Sequence, residues 1–254
     1  MKVLVTGGYG FIGSHVVERF EKEGHEVFII DNMSSGKVEN VSCKHKFYKI
    51  DVEDKSCEYV FKNNKVDIVV HLAAQINVTT SLEDPFLDTK TNILGLVNML
   101  ELSAKYKIKK FIFASSAAIY GNNEKIPLTE EEIAEPLSPY GISKYMGEKY
   151  CEKWNDIYNL DTICFRFSNV YGPRQGIIGE GGVISIFMDN IVKDQKITLN
   201  GNGEQTRDFI YVSDLTDALF KAAESDISHG VYNLSSNSRS SLNNLIKILN
   251  DLKR

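Results

Sequence analysis

Apolar and polar positions along this chain follow two alternating rhythms. Short β-branched runs at Lys2–Thr6, Glu26–Ile30, Lys46–Ile50, Ile68–His71, Phe111–Ala114 and Thr162–Phe165 read as strands covered on both faces. Between them, Phe11–Glu23, Lys55–Asn63, Phe86–Tyr106 and Tyr140–Tyr158 carry apolar residues at helical spacing. Parallel strands need long crossovers, and these helices supply them. The pattern predicts an α/β fold with a doubly wound parallel sheet.

After Phe165 the rhythm changes. Ser168–Gly182 is rich in Gly, Asn and Pro and reads as a long functional loop. A helix at Val183–Lys193, a short strand near Ile197–Leu199 and a strand at Arg207–Tyr211 follow. Next come a helix at Ser213–Ala223 with Ser213 as its N-cap, a strand at Val231–Leu234 and a helix at Leu242–Leu252. The change places a boundary near residue 166, between a larger domain, 1–165, and a smaller region, 166–254, with elements crossing back to the first. No repeat, low-complexity tract or linker interrupts it.

Charge and cysteine usage narrow the classes of function. The net charge is −5 and the 29 basic residues are scattered rather than striped, which argues against nucleic acid or an anionic membrane as partner. Cys43, Cys57, Cys151 and Cys164 have neither C-x-x-C spacing nor a metal-ligand pattern with the five histidines. They read as reduced thiols, with no metal site. The N-terminus opens directly into Val3-Leu4-Val5, so neither a signal peptide nor a membrane span is expected, and the cytoplasm is the default location.

Thr6-Gly7-Gly8-Tyr9-Gly10-Phe11-Ile12-Gly13 sets glycines at 7, 10 and 13 between the first strand and the first helix. Glycine there permits a tight turn and lets backbone N–H groups approach a pyrophosphate, where the helix dipole favours an anion. Asp31 ends the second strand, about twenty residues on, where a carboxylate can accept from both adenosine ribose hydroxyls and repel a 2′-phosphate. The expected cofactor is NAD rather than NADP.

Three Tyr-x-x-x-Lys pairs occur, at Tyr106/Lys110, Tyr140/Lys144 and Tyr145/Lys149, so spacing alone does not choose among them. Context does. Tyr106 ends a helix and Lys110 opens a strand, while Tyr145/Lys149 is rotated away on the same helix as the Tyr140 pair. Tyr140 alone follows a Ser-Pro helix start beyond a strand ending in Ser115-Ser116, at the end of the sheet where such folds assemble their sites. A free tyrosine titrates near pH 10, so a phenolate base near neutrality needs about 4 kcal/mol of help; the Lys144 ammonium and a positive nicotinamide can supply it. The Ser116 hydroxyl can stabilise the same substrate oxygen, and strand alternation should point its rival Ser115 away. His71 reads as a satisfied strand-end histidine, and Tyr150, Trp154 and Tyr158 as core or subunit contacts.

Taken together, the glycine turn, Asp31, Ser116 and Tyr140-x-x-x-Lys144 resemble the extended short-chain dehydrogenase/reductases, almost end to end. The similarity is nearest to the UDP-glucose 4-epimerases and their bacterial and archaeal relatives. It implies a Rossmann-type sheet with a smaller substrate-binding region, Gly7, Gly10, Phe11, Ile12 and Gly13 on the pyrophosphate, and Asp31 and Asn32 on the adenosine ribose. Asp51 and Val52 would flank the adenine. Leu72, Ala73, Ala74 and Gln75 would line the dinucleotide, Asn92 would stand behind the active site, and Tyr140 and Lys144 would meet the nicotinamide end. Asn169 and Arg207 would hold the diphosphate of a UDP-sugar.

The implied reaction is reversible oxidation at C4. Tyr140 takes the 4-hydroxyl proton, hydride passes to NAD⁺, and the 4-keto sugar turns over and is reduced on its other face. Ala117-Ala118 stand where dehydratases of the family carry an Asp-Glu pair, which favours epimerisation. Relatives pair through two helices, so a homodimer through Phe86–Tyr106 and Tyr140–Tyr158 is implied. Two departures stand out: Ser168 replaces an aromatic beside the nicotinamide, and the chain stops after Leu242–Leu252 where the family usually continues, as a fragment or as a shortened protein with a more open site. The readings left beside epimerisation are a non-catalytic NAD(H)-binding module and a net nucleotide-sugar reductase or dehydratase.

Overall fold

The computed structural model describes residues 1–123, 125–177, 182–199 and 201–252. The chain begins as the apolar rhythm predicts, with β1 (Lys2–Thr6), α1 (Phe11–Lys22), β2 (Glu26–Asp31), β3 (Lys46–Lys49), α2 (Glu58–Asn64) and β4 (Ile68–His71). It continues through α3 (Val78–Glu83), α4 (Pro85–Thr89), α5 (Gly95–Lys105), β5 (Lys110–Ser116), α6 (Pro139–Tyr158), β6 (Asp161–Phe167) and β7 (Asn169–Tyr171). The remainder is α7 (Val183–Val192), β8 (Thr206–Arg207), β9 (Phe209–Tyr211), α8 (Val212–Glu224), β10 (His229–Leu234), β11 (Ser240–Ser241) and α9 (Leu242–Leu252).

Seven strands form one parallel sheet in the order β10-β6-β5-β4-β1-β2-β3. Successive side chains of each strand enter opposite cores. Val3, Val5, Val27, Ile29, Ile112 and Ile163 meet Val16, Val17 and Phe20 of α1 and Leu215 and Leu219 of α8. On the other face Leu4, Phe28, Ile30, Phe111 and Phe113 meet Val60 and Phe61 of α2, Leu96 and Met99 of α5 and Cys151 of α6. Each such fully buried side chain is worth about 1.5–3 kcal/mol relative to exposure.

The strand order reverses between β1 and β4, and Thr6 lies opposite His71 there. The crevice beyond the carboxyl ends of these two strands is the place such sheets offer to a ligand.

Several local expectations need correction. The helix expected over Phe86–Tyr106 runs unbroken from Pro85 to Lys105, but it is not regular. Asp84 accepts from Leu87 N and starts α4 with Pro85 at its first position, and a π-helical turn at Lys90–Leu94 joins α4 to α5. Ser213 is not the N-cap of α8; Tyr211 holds that position, with no side-chain bond, and Ser213 lies within the helix. No strand forms at Ile197–Leu199; both named residues pack on a small third core of Phe187, Leu242, Leu245 and Leu249.

The strand expected over Arg207–Tyr211 divides at Asp208, where β8 pairs with β11 and β9 pairs with β7. β7 in turn occupies the start of the expected Ser168–Gly182 loop, of which residues 178–181 lie outside the described residues. In each case tertiary pairing outweighed the local pattern.

The Tyr140 helix begins where the Ser-Pro signal places it. Ser138 caps α6 by accepting from Gly141 N at 3.1 Å, and Pro139 occupies the first helical position.

Candidate active site

Gly7 adopts φ +68°, and a Cβ there would lie 2.9 Å from Ala73 N; a Cβ on Gly13 would lie 2.0 Å from Gly7 O. The turn and the first turn of α1 are thus pressed together and against the end of β4, as only glycine allows. Among the described residues no side chain caps the N-terminus of α1, whose first residues Phe11, Ile12 and Gly13 line the crevice. This is a cradle built for an anion.

Two cavities open from the turn and share Gly7, Gly10, Leu72 and Ile76. The smaller is walled by Asp31, Asn32, Ser34, Ser35, Val52, Ala73 and Ala74. The larger, about 330 Å³, is lined by Phe11, Ile12, Gly13, Ser116, Tyr140, Lys144, Ser168 and Asn169, among others. A dinucleotide bent over the glycines fits this division, with its adenosine end by Asp31 and its reactive end by Tyr140.

Asp31 is buried, and its carboxylate accepts from Tyr9 N at 3.0 Å and Met33 N at 2.8 Å. These bonds fix its direction at the strand end and leave lone pairs for further donors. Asn32 donates to Asp51 Oδ1 at 2.8 Å, so Asp51 supports the cavity wall without lining it. Thr6 Oγ1 accepts from Leu72 N and Ala73 N at 3.2 and 3.1 Å and lies 2.9 Å from His71 Nδ1. Since the hydroxyl already accepts twice, it donates to His71, which is thereby neutral with Nδ1 as acceptor. Burial and the nearby Lys144 charge push that imidazole down to about 3. His71 is a satisfied strand-end residue.

The candidate reacting groups converge from β5 and α6. Ser116 ends β5, and its Oγ accepts from Ala118 N at 3.1 Å, which leaves its proton free to be donated. Lys144, 4% exposed, donates to Ala114 O at 2.8 Å, and its Nζ lies 5.8 Å from the Tyr140 ring centre. Two of its three donors are left for other partners. Burial lowers the ammonium to about 8, against the opposing Asp88 carboxylate. Burial likewise raises the Tyr140 phenol above its usual range; the Ser116 hydroxyl draws it back and Asp88 pushes it up again.

Ser115, the rival serine, faces the opposite way. Its Oγ donates to Glu148 Oε1 at 2.5 Å, and Glu148 is held by a two-pronged bond from Arg166 at 2.8 and 2.9 Å. This buried ion pair ties β5, β6 and α6 together just beneath Ser116.

Some residues named from the sequence lie apart from the cavities. Gln75 turns its amide away to donate to Asn77 O and Asp88 Oδ1, and Asn92 bonds Gln75, Asp88 and Ser143 from within the π-helical turn. Both brace the site from behind. Asn169 lines the larger cavity and donates to Asp208 O at 3.0 Å, whereas Arg207 is exposed, outside the cavity wall, and donates to Thr206 O.

Sequence reasoning overlooked Ser34, Ser35 and Gln175 on the walls, Asp88 behind Lys144, and Asp208, which collects bonds from Ser236 and Ser238. The i, i+4 placement of Asp88 before Asn92 was the one signal available for any of them.

A profile of the NAD dependent epimerase/dehydratase family matches residues 3–235. The putative UDP-glucose 4-epimerase of Methanocaldococcus jannaschii is 42% identical over 248 residues, covering 97% of this chain and 81% of that protein. The crystal structure of a Thermotoga maritima UDP-glucose 4-epimerase with UDP-glucose superposes at a TM-score of 0.96 and 43% identity, covering 100% of this chain and 82% of the other. A Thermus thermophilus UDP-glucose 4-epimerase complexed with NAD superposes at 0.93 and 37% identity, covering 100% and 83%. This chain therefore belongs to the NAD dependent epimerase/dehydratase family and is an enzyme whose cofactor is NAD.

Proposed function

We propose that the protein epimerises a UDP-hexose at C4, of the UDP-glucose/UDP-galactose type, through a 4-keto sugar. The observation that carries this reading is the gathering of Ser116, Tyr140 and Lys144 on the wall of one cavity, beside the glycine turn and the first turn of α1. When bound, NAD⁺ supplies a hydride acceptor at its nicotinamide and a positive ring that favours the phenolate. Tyr140 accepts the 4-hydroxyl proton and later returns it. Ser116 donates to the same sugar oxygen, and Lys144 holds positive charge beside the phenol.

Residues 1–165 serve the cofactor in this reading, and residues 166–254 form the sugar side, with Asn169 and Arg207 on the diphosphate. Ala117 and Ala118 carry no proton-transferring group, which speaks against elimination. Phe86, Leu94, Ile142 and Met146, all well exposed on or near α4 to α6, form the face through which two copies would pair. Four unpaired thiols suit the cytoplasm.

The test is incubation of purified protein with UDP-galactose, following UDP-glucose. Conversion without net use of NADH is expected. Bound NAD with no conversion of any UDP-hexose would favour a binding module, and stoichiometric loss of added NADH would favour a reductase.

A further inference from the structure

Behind Tyr140 and Lys144 lies a buried acid that the proposed chemistry does not use. Asp88, 1% exposed, sits on α4, which packs against α6. Its Oδ1 accepts from Gln75 Nε2 at 2.9 Å and Asn92 Nδ2 at 3.0 Å. Its Oδ2 is equally buried and accepts no hydrogen bond among the described residues. The same Asn92 amide donates to Ser143 Oγ at 3.1 Å, and Ser143 donates to the Tyr140 carbonyl at 2.9 Å. A connected path thus runs from the acid to the backbone that carries the reacting pair.

A buried carboxylate with one bare oxygen is costly unless a cation faces it. The surrounding charges leave one candidate. His71 on β4 is neutral, Glu148 on α6 is paired with Arg166, and Lys90 on the π-helical turn is half-exposed and paired with Glu53. Tyr140 is a neutral phenol. Of the buried cations, Arg166 is taken by Glu148 and Lys110 is bonded to Ala222 and Ser225, which leaves Lys144, whose one hydrogen bond among the described residues goes to the uncharged Ala114 carbonyl. Burial raises the Asp88 carboxyl above its usual range, while its polar neighbours and the Lys144 ammonium draw it back; the acid in turn favours the charged lysine and repels negative charge on Tyr140.

We propose, on the reading that Tyr140 and Lys144 perform the chemistry, that Asp88 is a positioning residue: the buried counter-charge that keeps Lys144 an ammonium and, through Asn92 and Ser143, holds it against Tyr140. Asp88 acts on both members of the pair in the same direction. Removing its charge lets the lysine lose its proton more easily and lets the phenol do so too. The whole pH window of activity then slides towards acid, whereas loss of a merely structural residue would lower the rate without moving the window.

Asp88→Asn removes the charge and keeps the shape. In NAD-loaded protein carrying ¹³Cε-labelled lysine, the Lys144 resonance is recognised by its loss in Lys144→Ala. Its titration midpoint should fall by roughly one unit or more in Asp88→Asn. Both limbs of the kcat/KM profile should move to lower pH, with a loss of roughly tenfold at pH 8. An unmoved lysine midpoint, or a uniform loss of rate with unmoved limbs, overturns the proposal. If Asp88→Asn does not fold, the native protein still decides. The ¹³Cγ signal of Asp88 must report an ionised carboxylate at pH 7, and a protonated acid there overturns the proposal. These magnetic resonance measurements need no turnover, so they stand even where no UDP-sugar is converted and the epimerase reading fails.

Discussion

The two sides of the crevice are built by different means. On the cofactor side, the ends of β1, β2 and β4 press a glycine turn against backbone, and Thr6, Asp31 and His71 are buried with their hydrogen bonds made. On the side proposed to meet the sugar, β7, β8, β9 and β11 are two- and three-residue ladders, Arg207 is exposed, and Asp208 spends its carboxylate on the Ser236 and Ser238 turn. Backbone geometry sets the first side and adaptable side chains the second. Changes on the cofactor side should therefore be all-or-none, and changes on the sugar side graded.

The largest effect is expected where the two sides meet. Tyr140→Phe removes the oxygen proposed to move the proton, so kcat for UDP-galactose conversion should fall by about 10³ or more, while NAD affinity in a binding titration stays within a few-fold. A variant that keeps a tenth of native turnover would remove Tyr140 from the chemistry and leave the cofactor side untouched.

Gly13→Ala attacks the cofactor side alone. Its Cβ would lie 2.0 Å from Gly7 O, a backbone atom that cannot rotate aside, so the turn and α1 must part. A loss of about 1–3 kcal/mol in stability and roughly 10² in NAD affinity is expected, from thermal melts and titration. Tolerance of the methyl group would show that the glycine turn is looser than the geometry indicates.

Lys144→Met separates function from stability. The ammonium titrates at about 8 when folded, against about 10.5 when unfolded. Between those values the unfolded chain binds the extra proton, so native stability rises as pH climbs through the window, and below pH 8 the full cost of the buried charge is present. Methionine has no charge to bury. The variant should be inactive yet, by urea melts at pH 7, more stable by about 1 kcal/mol, part of the gain being offset by the stranded Asp88. It should also lose the rise between pH 8 and 10.5.

The same contrast decided what could be read from the sequence. Glycines at 7, 10 and 13, Asp31 at a strand end and Tyr140 after Ser138-Pro139 are local signals whose spacing and context survive folding, and the structure gathers these residues around two adjoining cavities. Ser115 could be set aside because strand alternation is strict, and its bond to Glu148 agrees. Strand β7, and the division of the Arg207–Tyr211 strand into β8 and β9, were illegible because such short ladders exist only through partners distant in sequence: Asn169–Tyr171 is a strand because Phe209–Tyr211 lies beside it. The π-helical turn at Lys90–Leu94, which turns Asn92 inward, has no periodicity signal, and Asp88 carried too little pattern to stand out from a helix face.

Arg207→Ala probes the sugar side where the effect should be smallest. The guanidinium is exposed and, among the described residues, donates only to its neighbour's carbonyl, so the fold has little to lose when it goes. If it meets the UDP-sugar diphosphate, it does so alike in the bound sugar and in the transition state, because the diphosphate does not react. Uniform binding of that kind appears in KM alone. A three- to ten-fold rise in KM is the scale for roughly one exposed charge-assisted bond, with kcat and NAD affinity unchanged and the effect shrinking at high salt. A fall in kcat instead would mean that Arg207 shapes the reacting end of the cavity, and the sugar side would then share the rigidity of the cofactor side.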